Sequence, residues 1–143
     1  MRMLLALLMV AGLATPAAAQ ERSPAQRETL TALARTLGEA QALRQVCAGA
    51  QDPIWRSRFT GMLDVEAPDE AFARQLNSAF DAGFAARRRS FVSCSGAAKD
   101  AEADVARHGR DLAAGLAQAT IRVATNPAPD PDAAPVAETP APR

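Results

Sequence analysis

The chain has no tyrosine, one tryptophan, one histidine and two cysteines among its 143 residues. Few side chains can therefore exchange protons near neutral pH, which counts against general acid–base catalysis. Cys47 and Cys94 lie too far apart in sequence to form a local Cys-x-x-Cys redox pair. No zinc-ligand spacing, glycine-rich phosphate loop or nucleophile elbow occurs, so no cofactor and no metal is implied. Neither sign of charge is in excess, since Lys plus Arg and Asp plus Glu each total 16. That balance supplies neither the basic field that holds nucleic acid nor an acidic mimic of it. Alternating β-branched runs are missing throughout, which excludes a sheet. Long hydrophobic runs are missing too: the apolar stretch from Leu4 to Ala14 is too short to cross a bilayer.

That short stretch, with Arg2 before it and Ala17-Ala18-Ala19 after it, reads as a secretory signal peptide over residues 1–19, cleaved near Ala19. No cysteine follows the apolar run and no twin arginine precedes it, so neither lipid attachment nor the folded-export route is supported. At the other end, residues 126–143 hold six of the ten prolines and little that could be buried. A disordered, Pro/Ala-rich tail is expected there, serving as a tether or simply as a solubilising extension. Residues 20–125 remain for one small domain. Lys99 is the only lysine, so arginine supplies nearly all the basic charge, and alanine is abundant, as in chains from GC-rich bacterial genomes. Together with an export signal, this predicts a periplasmic setting.

Helical punctuation divides the domain into four. Ser23, Pro24 and Gln26 form a capping box with proline at the first helical position. Leu30, Leu33, Leu37, Ala40, Leu43 and Cys47 then recur at spacings of three or four, and Gly49 offers a stop. Asp52-Pro53 opens a second helix striped by Trp55, Phe59, Met62 and Leu63, ended by Ala67-Pro68. A third starts near Asp69 and carries Phe72, Leu76, Ala79, Phe80, Phe84 and Phe91, running on to Cys94. The fourth spans roughly 98–123, with Val105, Leu112, Leu116 and Val123 on its stripe and Gly109 beside it, where a neighbouring helix could approach closely. The fold class is all-α, a small up-down bundle of about four helices.

In an up-down-up order the first and third helices run parallel, so Cys47 and Cys94 fall at the same end of the bundle. Each also falls on its helix's apolar stripe, which makes a disulfide staple geometrically sound and a catalytic thiol the weaker reading. At 100° per residue, Arg87 lies about 20° from Cys94, Arg88 about 120° and Arg89 about −140°. Arg87 thus falls on the phenylalanine stripe, where a guanidinium needs a partner; Glu66, continuing the Trp55–Phe59–Met62 stripe, is the candidate for a buried ion pair. Arg89 faces solvent and Arg88 flanks the core, and together they form a candidate anion patch. The plainer role for all three is to oppose the helix dipole near a C-terminus.

The segments "LGEAQALRQVCAGAQDPIWRSRF", "MLDVEAPDEAFARQLNSAFDAGFAARRRSFVSCS" and "HGRDLAAGLA" together resemble an uncharacterised alphaproteobacterial family of small exported two-cysteine proteins, a domain-of-unknown-function family. The likeness covers roughly residues 36–117. It implies a periplasmic setting and a Cys47–Cys94 bridge, and it carries no activity.

Three functions follow for testing. The first is a non-catalytic binding or adaptor module that engages another protein of the cell envelope. The second is a binder of anionic envelope material, peptidoglycan or lipopolysaccharide, through Arg88 and Arg89. The third, a hydrolase using Glu66, Asp69 or Glu70, requires a cleft and raised carboxyl pKa values. The same carboxylates lack the ligand count of a calcium loop. His108 is expected as a half-buried helix histidine at the edge of the fourth stripe.

Overall fold

A computed structural model describes residues 22–125 of the chain, leaving aside the Val123 side chain. The expected signal peptide and proline-rich tail lie outside these residues. Four helices account for the regular structure: α1 (Pro24–Ala48), α2 (Ile54–Glu66), α3 (Glu70–Ser90) and α4 (Gly96–Thr125). Three of the four starts are fixed by local chemistry. Ser23 and Gln26 close the reciprocal capping box of α1. Asp69 Oδ1 accepts the Phe72 N–H to cap α3 at 2.8 Å, and Ser95 Oγ accepts the Ala98 N–H to start α4 at 3.1 Å. At the end of α2, Ala67 takes the left-handed conformation at φ 42° and Pro68 blocks continuation.

The start of α2 is capped from another helix. Pro53 offers no side-chain cap, and Gln41, buried in α1, supplies it. The Gln41 Oε1 accepts the Arg56 N–H at 2.8 Å while its Nε2 donates to the Asp52 carbonyl at 2.5 Å. Gln41 is 2 % exposed, so all of this amide's polar reach is spent on fastening the α1–α2 turn. Arg44 strengthens the turn through Asp52 Oδ2 at 3.1 Å. Replacing Gln41 by Leu should lower stability by about 1–3 kcal/mol, because the Arg56 N–H loses its side-chain acceptor and the Asp52 carbonyl keeps only the long contact from Gln45 Nε2, at 3.5 Å. Chemical denaturation of the variant measures this; a loss under about 0.5 kcal/mol, the range of an ordinary surface change, would remove Gln41 from the account.

The helices do not contribute one equal stripe each. Helix α1 is the centre, packed against all three others. Its buried residues run from Leu30 and Leu33 through Ala34, Thr36, Leu37 and Gly38 to Leu43. At 100° per residue these positions cover about 260° of its circumference, far more than the single leucine stripe read from the sequence. The second face is made of small residues, Ala34, Gly38 and Ala42, where α3 comes very close. A Cβ at Gly38 would lie 2.8 Å from the Phe80 carbonyl carbon and nearer still to its oxygen. One at Gly83 would lie 3.0 Å from the Arg35 carbonyl carbon. Phe59, Phe72, Leu76 and Phe80 fill the main core with α1, and Phe59 meets Phe80 at 4.6 Å between ring centroids.

Pairings along the helices fix their directions. Arg27 lies over the Phe72 ring, Gln75 reaches Thr31, and Cys47 joins Cys94, so α1 and α3 run parallel. Arg22, at the start of α1, holds Glu66 at the end of α2 and Thr120 near the end of α4, so both run antiparallel to α1. The up-down order is thus the one expected. One boundary differs: α3 stops at Ser90, and Phe91 is extended at φ −128°, so Cys94 sits in the link to α4 rather than on α3. Neither glycine nor proline punctuates residues 90–95, and Ser95, the cap of α4, is the signal that marks the break.

Candidate functional site

One concavity among the described residues runs between α1, α2 and α4, with a volume of about 280 Å³. Leu33, Leu37 and Ala40 of α1 form its floor, and Trp55 and Met62 of α2 form one wall. The α4 wall is formed by Val105 with the small residues Ala106, Gly109 and Ala113, whose lack of bulk leaves the space open. A Cβ on Gly109 would rest 3.4 Å from the Thr36 methyl, so this glycine thins the wall without a tight helix crossing. Trp55 is held in place at both ends: its Nε1–H donates to Glu102 Oε1 at 3.1 Å, and the Arg58 guanidinium lies 4.8 Å from its ring centroid. Arg58 and Arg110 line the mouth, are exposed, and make no ion pair among the described residues. The groove therefore offers an apolar, aromatic interior beneath two guanidinium groups that have no carboxylate partner among the described residues.

A second, wider groove of about 620 Å³ lies between the first turns of α1 and the second half of α4. His108, Asp111 and Arg122 line it with Ser23 and Gln26, both already used in the capping box. His108 is exposed rather than half-buried as expected. Helix α4 buries only a narrow arc, through Ala98, Val105 and Leu116, and His108 falls outside that arc.

The other singled-out residues separate into three groups. Cys47 and Cys94 are joined, with their Cα atoms 4.7 Å apart, at the end of the bundle where α1 and α3 finish. The Arg87–Glu66 pair is not formed. Arg87 does turn inward, but Glu39 of α1 receives it, at 3.0 Å from Nε and 2.9 Å from Nη2. Glu66 accepts instead from Arg22 Nε and Nη2, each at 2.8 Å. The physical reason is the topology itself. The end of α2 lies beside the start of α3, and Arg87 is seventeen residues beyond Glu70, about 25 Å along the helix. Arg88 and Arg89 are exposed in the last turn of α3 and make no ion pair among the described residues. They do stand where positive charge opposes the helix dipole.

The carboxylates named for hydrolysis are each engaged. Glu66 pairs with Arg22, Glu70 with Arg74, and Asp69 caps α3 while meeting Arg27 at 3.4 Å. None of them lines either groove. The Phe72 N–H, with lesser help from Arg27, holds the Asp69 carboxyl below the usual range, opposite to what an acid catalyst needs. The Ile54 N–H and Arg44 do the same for Asp52. Both groups favour the folded chain only while ionised, so their contribution is complete above the ordinary carboxylate pKa and vanishes as pH falls through their depressed values. Melting temperature should therefore drop below about pH 4, and less steeply in an Asp52→Asn, Asp69→Asn double variant. Parallel acid limbs for both proteins would show that other carboxylates set the acid stability.

Among the described residues no three His, Cys, Asp or Glu side chains are grouped to hold a metal ion, and no helix is long and apolar enough to cross a membrane. A family model described as "Protein of unknown function (DUF2385)" matches residues 25–120, from the first turn of α1 to near the end of α4. No curated protein and no solved structure matches the chain.

Proposed function

The chain belongs to the DUF2385 family of proteins of unknown function, and from that premise we propose that it is an exported, non-catalytic binding module of the cell envelope whose working surface is the α1–α2–α4 groove. One observation carries the reading: an apolar, tryptophan-walled concavity whose two mouth arginines, Arg58 and Arg110, have no ion-pair partner among the described residues. Arg88 and Arg89 also lack ion pairs among the described residues, but they stand on an exposed helix end rather than over an apolar concavity. The signal-like N-terminus and the disulfide support an envelope setting.

A photo-crosslinking residue at Ala113, an exposed groove position, tests the proposal in intact cells. An adduct from Ala113, absent when the same residue replaces the exposed Gly61 of α2, is the expected result. Equal labelling at both positions, or none at Ala113, would overturn it. The exposure of Arg88 and Arg89 favours a second reading, binding of anionic peptidoglycan or lipopolysaccharide at the end of α3. It requires salt-sensitive sedimentation with sacculi or vesicles that Arg88→Glu plus Arg89→Glu abolishes.

A further inference from the structure

We infer that the α1–α2–α4 groove binds a single-chain fatty carboxylate, the acyl chain between Trp55 and the small-residue wall of α4 and the carboxylate between Arg58 and Arg110. The inference rests on the groove being the binding surface. Size decides first. A cavity of about 280 Å³ lies at the lower limit of small-ligand pockets, about 300 Å³. It has room for one thin chain; a partner helix, about 10–12 Å across with its side chains, does not enter. A diacyl lipid needs twice the width.

Charge decides next. A neutral hydrocarbon would leave two arginines unpaired at the mouth, whereas a carboxylate accepts from their guanidinium forks. A second copy docked over the groove about a two-fold axis would bring these arginines face to face, a like-charge contact that disfavours self-association there. Trp55 and Met62 complete an apolar wall, and Met62 can adjust its shape to a chain.

Trp55 is the chain's single tryptophan and no tyrosine is present, so its fluorescence reports on the groove directly. The full mature chain with its disulfide intact is titrated with laurate below its micelle concentration, with far-UV circular dichroism followed in parallel. The expected result is a saturable change in Trp55 emission at constant helicity. Dodecanol should bind roughly fivefold to tenfold more weakly, the scale of two exposed ion pairs, and inorganic phosphate should give no change. Ala113→Phe, which fills the groove from an exposed position, should abolish the response, and Arg110→Glu should reduce laurate binding to the dodecanol level. Equal affinity for laurate and dodecanol, a response to phosphate alone, an unaltered titration in Ala113→Phe, or no saturable change would each overturn the inference. If laurate fails while Ala113 still crosslinks to an envelope protein, the fatty ligand is wrong and the groove reading stands. Failure of both removes the groove.

Discussion

Gly38→Ala should destabilise the protein by about 2–3 kcal/mol, although alanine is the better helix former by about 1 kcal/mol. The added methyl group would sit 2.8 Å from the Phe80 carbonyl carbon and closer to its oxygen. Backbone cannot swing aside as a side chain does, so α3 must move away from α1 along the whole contact. The cost is the overpacking term, about 3–4 kcal/mol for a clash with main chain, less the propensity gain. Gly83→Ala should behave alike, since its methyl would meet the Arg35 carbonyl. For a domain of this size the loss corresponds to a melting temperature lower by roughly 10–20 °C. Gly61, inside α2 with nothing within 4 Å of where an added methyl group would lie, is the internal control: Gly61→Ala should gain about 0.5–1 kcal/mol. Thermal melts of the three variants decide the matter, and a stabilised Gly38→Ala would mean that the helices do not approach this closely.

That contact also marks what the sequence could and could not convey. The starts of α1 and α3 were legible because each is written in a few adjacent residues, the Ser23–Gln26 box and Asp69 before Glu70, while Asp52-Pro53 marked the position of the α2 start without its cap from Gln41. Direction was legible too, since short links between four helices leave the up-down order as the economical one. The centrality of α1 was not. Its leucine stripe is visible as a periodic signal, but Ala34, Gly38 and Ala42 read as neutral helix filler until a second backbone is seen against them. Gly109 stands out in the sequence because it lies near a stripe, whereas the tight crossing lies at Gly38 and Gly83.

Ion pairing shows the same division. Helical phase alone turns Arg87 toward α1, where its side chain remains 35 % exposed. Its partner does not follow from phase, which says nothing about height along the bundle. Glu39, one turn from Arg35 on α1, lies level with Arg87, while Glu66 is at the far end beside Arg22. The groove was the least legible feature. It is a space left between three helices by Ala106, Gly109 and Ala113, and an absence of bulk gives no signal until the opposing Trp55 and Met62 are in place.

Removing the disulfide should cost the most. A Cys47→Ala, Cys94→Ala double variant should lose about 4 kcal/mol, the loop-entropy value for a bridge of sequence separation 47. A small domain holds roughly 5–10 kcal/mol in total, so about half its stability resides in one bond. The loss should also be local. At the disulfide end the buried core contracts to Ala40, Leu43 and Val105, with Phe91 and Ala101 packed partly against it. Little apolar surface there can replace the staple, and Cys94 lies in the link whose position sets where α4 begins. Amide exchange in the variant should therefore accelerate first in the early turns of α4 and at the start of α2, before the Phe59–Phe80 core opens. Ala40, Trp55 and Val105 belong both to this end and to the groove. Reduction should accordingly perturb Trp55 emission below the temperature of global unfolding. Denaturation with and without reductant measures the free energy, and Trp55 fluorescence follows the local step. A change under about 1 kcal/mol, well below the usual 2–5 for losing a native bridge, would show that helix packing alone sustains the fold and would detach the groove's integrity from the bond.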